Sequence, residues 1–142
     1  MLSTGGLEYV DPSLFVADGE WHHIAITFNG DEATLSMDGQ RGLGWPLYDF
    51  DLADGEVVAG AAPATGGLAW VGWLDDVKVF ARERTQADLA QPDQEDARGL
   101  MLWWDFEVTG SGSGVTVPDR SGGGFDGISG GSSTTPAFLP CR

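Results

Sequence analysis

The sequence predicts an all-β protein, an antiparallel β-sandwich assembled from short strands. Glycine and proline are frequent, with 22 and 7 among 142 residues, and both are unfavourable inside helices. Runs of β-branched and aromatic residues follow one another along the chain, and turn-forming residues separate them. Short strands at regular spacing, with turns between them, are typical of a β-sandwich.

The first strong strand signal extends from Trp21 to Phe28. Neither of its alternating faces is strongly polar, which predicts a central strand covered on both sides. Asn29-Gly30 follows and predicts a hairpin, because both residues tolerate positive φ. The return strand is predicted at Ala33–Met37, ended by Asp38-Gly39. We expect six strand residues to face a second sheet and to be buried: Ile24, Ile26, Phe28, Leu35, Val77 and Val79.

The rest of the chain carries shorter elements. Strands are predicted at residues 55–60, 70–80, 100–107, 115–117 and 125–128. One helical turn is predicted at Thr85–Ala90, with Thr85 as its N-cap and Asp88 at the capping-box position. Residues 91–98 are polar, contain Pro92 and are predicted to form a linker.

The charge of the chain excludes several classes of partner. Its formal net charge is −15, and such a field repels phosphate backbones and anionic membrane surfaces. No apolar run approaches the ~20 residues that a membrane-spanning helix needs. The one cysteine, Cys141, excludes an internal disulfide. The first residues lack the features of a signal peptide, so we expect a cytoplasmic protein or a piece of a longer secreted one.

Two stretches share the pattern of a known family. In Trp21–Gly30 and Ala33–Gly39, a Trp-x-His strand leads to a hairpin that ends in Asp-Gly. In Gly72–Phe80, a Gly-x-hydrophobic-Asp strand leads into the predicted helical turn. Together they resemble the middle hairpin and the C-terminal signature of laminin-G-like domains, which are concanavalin A-like jelly rolls. The resemblance covers Gly5 to Ala90 and implies a jelly-roll sandwich.

A third stretch is similar to the opening of the same domain. Gly99–Glu107 is predicted to be a strand that ends in Phe-Glu. Val117–Gly127 contains the Asp-x-Ser-Gly turn that follows the first strand of such a domain. The resemblance implies the C-terminal two-thirds of one repeat in residues 1–90 and the N-terminal start of a following repeat in residues 99–142. The jelly roll would then be incomplete in this chain. Alternatively, Leu100–Glu107 completes the first repeat by pairing with one of its strands, which would bury its large apolar side chains.

The resemblance implies a non-catalytic binding or adhesion module of a larger secreted or cell-surface protein, with carbohydrate as the expected ligand. The alternative is a structural spacer repeat that binds nothing. Glycosidases of this fold need two carboxylates on one strand face, and no Glu-x-Asp-x-Glu pattern occurs, so no enzyme is predicted. The expected partners are a glycan or an extracellular protein, and neighbouring laminin-G-like repeats.

Candidate ligand-binding residues lie in the predicted loop around Trp45. An aromatic residue exposed in a loop indicates contact with a partner, and Tyr48 and Asp49 follow closely. Structural roles are expected for Trp21 and His23, with the histidine hydrogen-bonded inside the sandwich.

Three carboxylates are candidates for a calcium site, since calcium prefers oxygen ligands. Asp75 shares a predicted strand face with Trp73 and Val77, so we expect it to be buried and to need a partner. That partner is a hydrogen bond from His23 or from backbone amides, which would be a structural role, or a calcium ion. Asp119 and Asp126 lie in a glycine-rich turn, where turn formation is the alternative to calcium binding.

Overall fold

The computed structural model describes residues 2–4, 7–9, 14–46, 57–60, 70–92, 94, 97–110 and 112–130. This part of the chain contains nine β-strands and one short helix, and every strand pairing is antiparallel. The predicted all-β, antiparallel fold class is therefore confirmed. Within the same ranges, no helix has the length and apolar character needed to cross a membrane. The chain divides into two compact units, residues 1–53 with 82–96 and residues 54–81 with 97–142.

The first unit contains a hairpin and a three-stranded sheet. The hairpin pairs β1 (Leu2–Thr4) with β2 (Leu7–Tyr9), two strands that the sequence patterns did not predict. The sheet has the order β3 (Ile24–Phe28), β4 (Glu32–Met37) and β5 (Gln40–Pro46). Two short turns therefore connect consecutive neighbours, as in a β-meander.

Both turns of this sheet coincide with the predicted turn signals. Gly30 has a φ of 107°, and the Asn29 side chain accepts hydrogen bonds from the amides of Asp31 and Glu32. Asp38 and Gly39 have φ values of 49° and 73°, so both adopt the left-handed conformation that a two-residue type I′ turn requires. The strand β5 after this turn was predicted to be a loop.

The central strand of the sheet is β4, and the prediction that β3 is central was wrong. Residues 33–36 of β4 are all buried, whereas Ile24 and Ile26 on β3 are 44% and 52% exposed. The reason is topological: among the described strands, β3 has one neighbour in this sheet, and β4 has one on each side. Of the predicted core residues in this unit, Leu35 is buried and Phe28 is half-buried.

A single helical turn, α1 (Gln86–Leu89), completes the described part of the first unit. Thr85 and Asp88 form the predicted capping box, in which each side chain accepts a hydrogen bond from the backbone amide of the other residue. The Gln86 side-chain amide donates to the carbonyl oxygen of Gly39. A Cβ at Gly39 would lie 2.8 Å from the Cα of Ala90, so only glycine allows the β4–β5 turn to lie against the end of α1.

The second unit contains two strand pairs. β6 (Val77–Phe80) pairs with β7 (Leu100–Trp104), and β8 (Thr116–Val117) pairs with β9 (Gly127–Ile128). The sequence predicts that residues 100–107 pair with a strand of the first ninety residues. This pairing is observed between β7 and β6. That residues 99–142 open a second repeat stays a prediction.

The core of the second unit forms where these pairs meet. Leu102, Trp104 and Val117 are buried, and Val77, Val79 and Phe106 pack against them partly buried. The Trp104 indole N–H donates to the carbonyl oxygen of Phe125 at 2.9 Å, so its polar edge is satisfied. Gly127 lies against the same indole ring, where a Cβ would come within 3.0 Å of it.

The burial difference across one cross-strand pair gives a test of this architecture. Ile26 and Leu35 face each other in the register of β3 and β4, but Leu35 is only 8% exposed. Leu35→Ala should lower the free energy of unfolding by about 2–5 kcal/mol, because it removes buried methyl groups and leaves a cavity. Ile26→Ala should cost clearly less, as measured by urea unfolding. An equal loss for both variants would contradict the assignment of β4 as the buried strand.

Candidate functional site

A groove of about 250 Å³ lies in the first unit, over one face of the β3–β5 sheet. We call it the hydroxyl groove, because four of its nine lining residues carry a hydroxyl group and a fifth carries an uncharged amide. The sheet side is lined by Thr27, Thr34, Ser36 and Arg41, and the other side by Glu83, Arg84, Thr85, Gln86 and Leu89.

The polarity of the groove follows from strand alternation in β3 and β4. Thr27 pairs with Thr34, and Ser36 pairs with Arg41, so these four side chains lie on one face of the sheet. Leu35, between Thr34 and Ser36, points to the opposite face. Thr34 and Ser36 are 4% and 2% exposed, so their hydroxyls lie at the bottom of the groove.

A charged network fixes Arg41 at the edge of the groove. The Arg41 Nη2 donates to Glu32 Oε1 at 2.6 Å and to the Thr34 hydroxyl oxygen at 3.1 Å. The Thr34 hydroxyl donates to the same Glu32 oxygen at 3.3 Å. Gly44 on β5 faces Thr34, and a Cβ at this position would overlap the Glu32 carboxylate. The absence of a side chain at Gly44 therefore lets Glu32 reach across β5.

His22 holds the β4–β5 turn through two carboxylates. Its Nδ1 lies 2.8 Å from Asp38 Oδ2, and its Nε2 lies 3.0 Å from Asp18 Oδ1. A neutral imidazole carries one N–H, so two such hydrogen bonds require the doubly protonated ring. The hydrogen bonds to Asp38 and then Asp18 raise the pKa of His22 above 6.5, against the opposing effect of desolvation. Both contacts therefore favour the protonated form of His22 in the folded protein.

The same contacts lower the pKa of both carboxylates. For Asp38 the hydrogen bond to the His22 ring contributes most to the lower pKa, followed by the backbone amide of His23 at 2.8 Å. For Asp18 the backbone amide of Glu20 contributes most to the lower pKa, and His22 follows. We call the pairing of His22 with Asp38 and Asp18 the His22 clamp. Since Gly39 lies against α1, the His22 clamp supports the turn on which one side of the groove depends.

Of the predicted ligand-binding residues, Trp45 is described by the structure, and it is not among the residues that line the groove. Trp45 is a half-buried residue of β5 rather than an exposed loop residue, and it pairs with Ala33. Ala33 precedes Thr34, so Trp45 lies on the opposite face of the sheet. Tyr48 and Asp49 lie outside the described residues. Sequence reasoning missed Arg41 and Glu32, although the alternation of threonine and serine in β4 was a usable signal for the polar face.

The structure describes both Trp21 and His23, for which structural roles are predicted. Trp21 precedes β3 and is 67% exposed, and its structural role stays a prediction. For His23, the backbone amide provides the hydrogen bond to Asp38, and the ring of the neighbouring His22 forms the clamp.

Asp75 is exposed, and the prediction of a buried carboxylate was wrong. The regular strand begins only at Val77, and Asp76 has a φ of 51°, which interrupts the alternation on which the prediction depended. The Asp75 Oδ1 accepts a hydrogen bond from the Asp76 amide at 2.8 Å, and a backbone amide is one of the donors predicted for Asp75. Partial desolvation raises the pKa of Asp75, and the negative charges of Asp76, Glu107 and Asp105 add to the rise.

Asp119 and Asp126 form a turn, the role that the sequence gave as the alternative to calcium binding. The Asp119 carboxylate accepts hydrogen bonds from the amides of Trp103, Ser121 and Phe125 and from the Ser121 hydroxyl. Asp126 Oδ1 accepts from the Asp119 amide at 2.8 Å. Partial burial raises the pKa of Asp119, but these donors outweigh it and hold the pKa well below 3.8.

Calcium binding by Asp75, Asp119 and Asp126 stays a prediction. In the part of the chain that the structure describes, no three His, Cys, Asp or Glu side chains come together as a metal site.

The His22 clamp predicts a pH-dependent stability. Because the folded-state pKa of His22 is raised, its contribution is fully present below the ordinary pKa of 6.5 and is lost as the pH rises through the raised value. We expect the difference in unfolding free energy between wild type and His22→Gln to shrink over that range in urea titrations. His23→Gln is the comparison variant, since it removes a neighbouring ring whose charge also lowers the pKa of Asp38 but keeps the backbone amide that bonds Asp38. A pH profile that His22→Gln leaves unchanged would contradict the clamp.

The Asp119 turn predicts an unequal effect of two similar substitutions. The Asp119 carboxylate accepts four hydrogen bonds, one from β7 and three from the turn after β8, and Asp119→Ala removes all four. The Asp126 carboxylate accepts one hydrogen bond, which Asp126→Ala removes. The melting temperature should therefore fall further for Asp119→Ala. Melting with added calcium and then with a chelator tests the calcium hypothesis in parallel. Equal melting temperatures for the two variants would contradict the larger role of Asp119.

Comparison with known proteins gives one family and one structural neighbour. Residues 2–90 match the laminin G-like model described as the concanavalin A-like lectin/glucanases superfamily. Among curated proteins, no sequence matches. The chain is similar to the solved S-layer domain-containing protein (residues 221–444) from Clostridium thermocellum ATCC 27405, with 19% identity and a TM-score of 0.47. That similarity covers 56% of this chain and 42% of the other, so the chain spans less than half of that protein's length.

The family match over residues 2–90 contains the whole of the resemblance seen from Gly5 to Ala90. It includes the β3–β4 hairpin, the hydroxyl groove, β6 and α1. More than half of the chain lies within the match. The chain therefore belongs to the laminin G-like family of the concanavalin A-like lectin/glucanases superfamily, whose fold is the β-sandwich jelly roll.

Proposed function

We propose that this chain is a non-catalytic carbohydrate-binding module of a larger secreted or cell-surface protein, and that the hydroxyl groove holds the sugar. The observation that carries the proposal is the grouping of Thr27, Thr34 and Ser36 with the fixed guanidinium of Arg41 in one concavity. A sugar hydroxyl both donates and accepts hydrogen bonds, and threonine and serine hydroxyls do the same.

The size and shape of the groove support a small polar ligand. Its volume of about 250 Å³ is below the ~300–1,000 Å³ of pockets for drug-sized ligands, which suits a terminal sugar unit of a glycan. Leu89, the last residue of α1, lines the groove and provides an apolar surface for the C–H face of a sugar ring. Gln86 adds an amide on the same side, where the capping box fixes the backbone.

The charged groups of the groove support binding rather than hydrolysis. A retaining glycosidase needs two carboxyl groups about 5–5.5 Å apart that flank the bond to be cleaved. Glu32 Oε1 instead accepts hydrogen bonds from Arg41 and Thr34, which gives this carboxylate a positioning role. A location outside the cell or on its surface is the expectation that accompanies the laminin G-like family, and the acidic net charge is compatible with it.

Binding to immobilised oligosaccharides tests the proposal. We expect the full chain to bind at least one sugar in a panel of hexose, N-acetylhexosamine and uronic acid oligomers. Arg41→Gln and Thr34→Val should each raise the Kd by about tenfold, equal to ~1.4 kcal/mol, because each removes a hydrogen-bonding group of the groove.

The matched control is Thr116→Val, which removes an exposed hydroxyl from β8, outside the groove. Thermal melting of every variant separates lost binding from lost folding. Binding that neither groove variant weakens would place the sugar elsewhere on the chain. If the folded wild type binds no sugar of the panel, the structural spacer becomes the better description.

A further inference from the structure

We infer that the hydroxyl groove selects neutral sugars and rejects acidic ones, an inference that rests on the proposed function and adds the ligand class. The first observation is the local charge. Arg41 and Arg84 line the groove, Glu83 lines it as well, and Glu32 is bonded to Arg41. The formal charges of these two guanidinium groups and two carboxylates cancel, so the groove presents donors and acceptors without a net positive charge.

The second observation is the short ion pair of Arg41. An acidic sugar would need a cation as its partner, but the Arg41 guanidinium already bonds Glu32 at 2.6 Å. Charge-assisted hydrogen bonds of this length are stronger than neutral ones, so a ligand carboxylate at Arg41 would compete with Glu32 and lie beside its negative charge. A neutral hydroxyl needs no such exchange, because it can donate to Glu32 or Glu83 and accept from Arg41 at the same time.

The third observation is the charge of the whole chain. A formal net charge of −15 lowers the local concentration of anions at short range, over about 8 Å at physiological ionic strength. The local network and the overall field therefore act in the same direction. Both disfavour uronic acids and sulfated sugars, and neither affects a neutral hexose unit.

Calorimetric titration of the wild type with a matched ligand pair tests the inference. The two probes are a neutral oligosaccharide retained in the panel experiment and the same oligosaccharide oxidised to a uronic acid at its terminal unit. We expect the neutral probe to bind at least about tenfold more tightly at low salt. The affinity for the neutral probe should stay constant when salt is added, because no net charge is neutralised on binding.

Two isosteric variants locate the source of the selectivity. Glu32→Gln leaves the Arg41 charge uncompensated, so it should raise the affinity for the acidic probe several-fold at low salt, with the gain lost at high salt. Glu20→Gln is the control, since it changes the net charge by the same amount at an exposed position outside the groove. An equal gain in both variants would overturn the role of the Arg41–Glu32 pair.

The outcomes separate this inference from the function on which it rests. If the acidic probe binds the wild type as tightly as the neutral probe or more tightly, the selectivity is wrong and sugar binding stands. If neither probe binds, the proposed function and the inference both fail. Should Glu32→Gln not fold, the comparison of the two probes on the wild type still decides the question.

Discussion

The Asp38-Gly39 turn is the constraint on which the described part of the first unit depends. Both residues adopt left-handed conformations, and the turn connects the central strand β4 to β5. On one side, the Asp38 carboxylate bonds the His22 ring and the His23 amide, which fixes the segment before β3. On the other side, Gly39 contacts Ala90 and accepts from Gln86, which fixes α1. Both sides of the hydroxyl groove therefore meet at one two-residue turn.

The groove combines hydrogen bonds among its own side chains with little net charge. Arg41 is held by Glu32 and Thr34, and the missing side chain at Gly44 gives Glu32 the space to reach it. Such pairing orients donors and acceptors before a ligand arrives, which lowers the entropic cost of binding. The chain has a formal net charge of −15, and the Arg41 guanidinium is paired with the Glu32 carboxylate. Arg41 is therefore not an isolated positive charge that would attract an anion. These properties suit recognition of hydroxyl groups by direction and position rather than by charge.

In the second unit, the Asp119 carboxylate organises the backbone of a turn. Asp119 gathers three amides and one hydroxyl, and its backbone pairs with Trp104 in an isolated β-bridge. The short strands β8 and β9 could not position the turn by themselves, because each contributes only two residues. Arg120 adds an ion pair with Asp105 at 2.7 Å on the same turn. The Asp-x-Ser-Gly motif is thus explained by turn formation.

The amino-acid sequence by itself determined the features that depend on neighbouring residues: the turns at Asn29-Gly30 and Asp38-Gly39, the capping box of Thr85, and the strand character of residues 100–104. These follow from local conformational preferences and hydrogen bonds within a few residues. Tertiary structure decided which strand is central, so that Leu35 is buried while its partner Ile26 is half-exposed. It also decided the pairing of Arg41 with Glu32, the face occupied by Trp45, and the exposure of Asp75. Burial depends on which segments become neighbours, and a single left-handed residue such as Asp76 reverses the alternation that a strand pattern assumes.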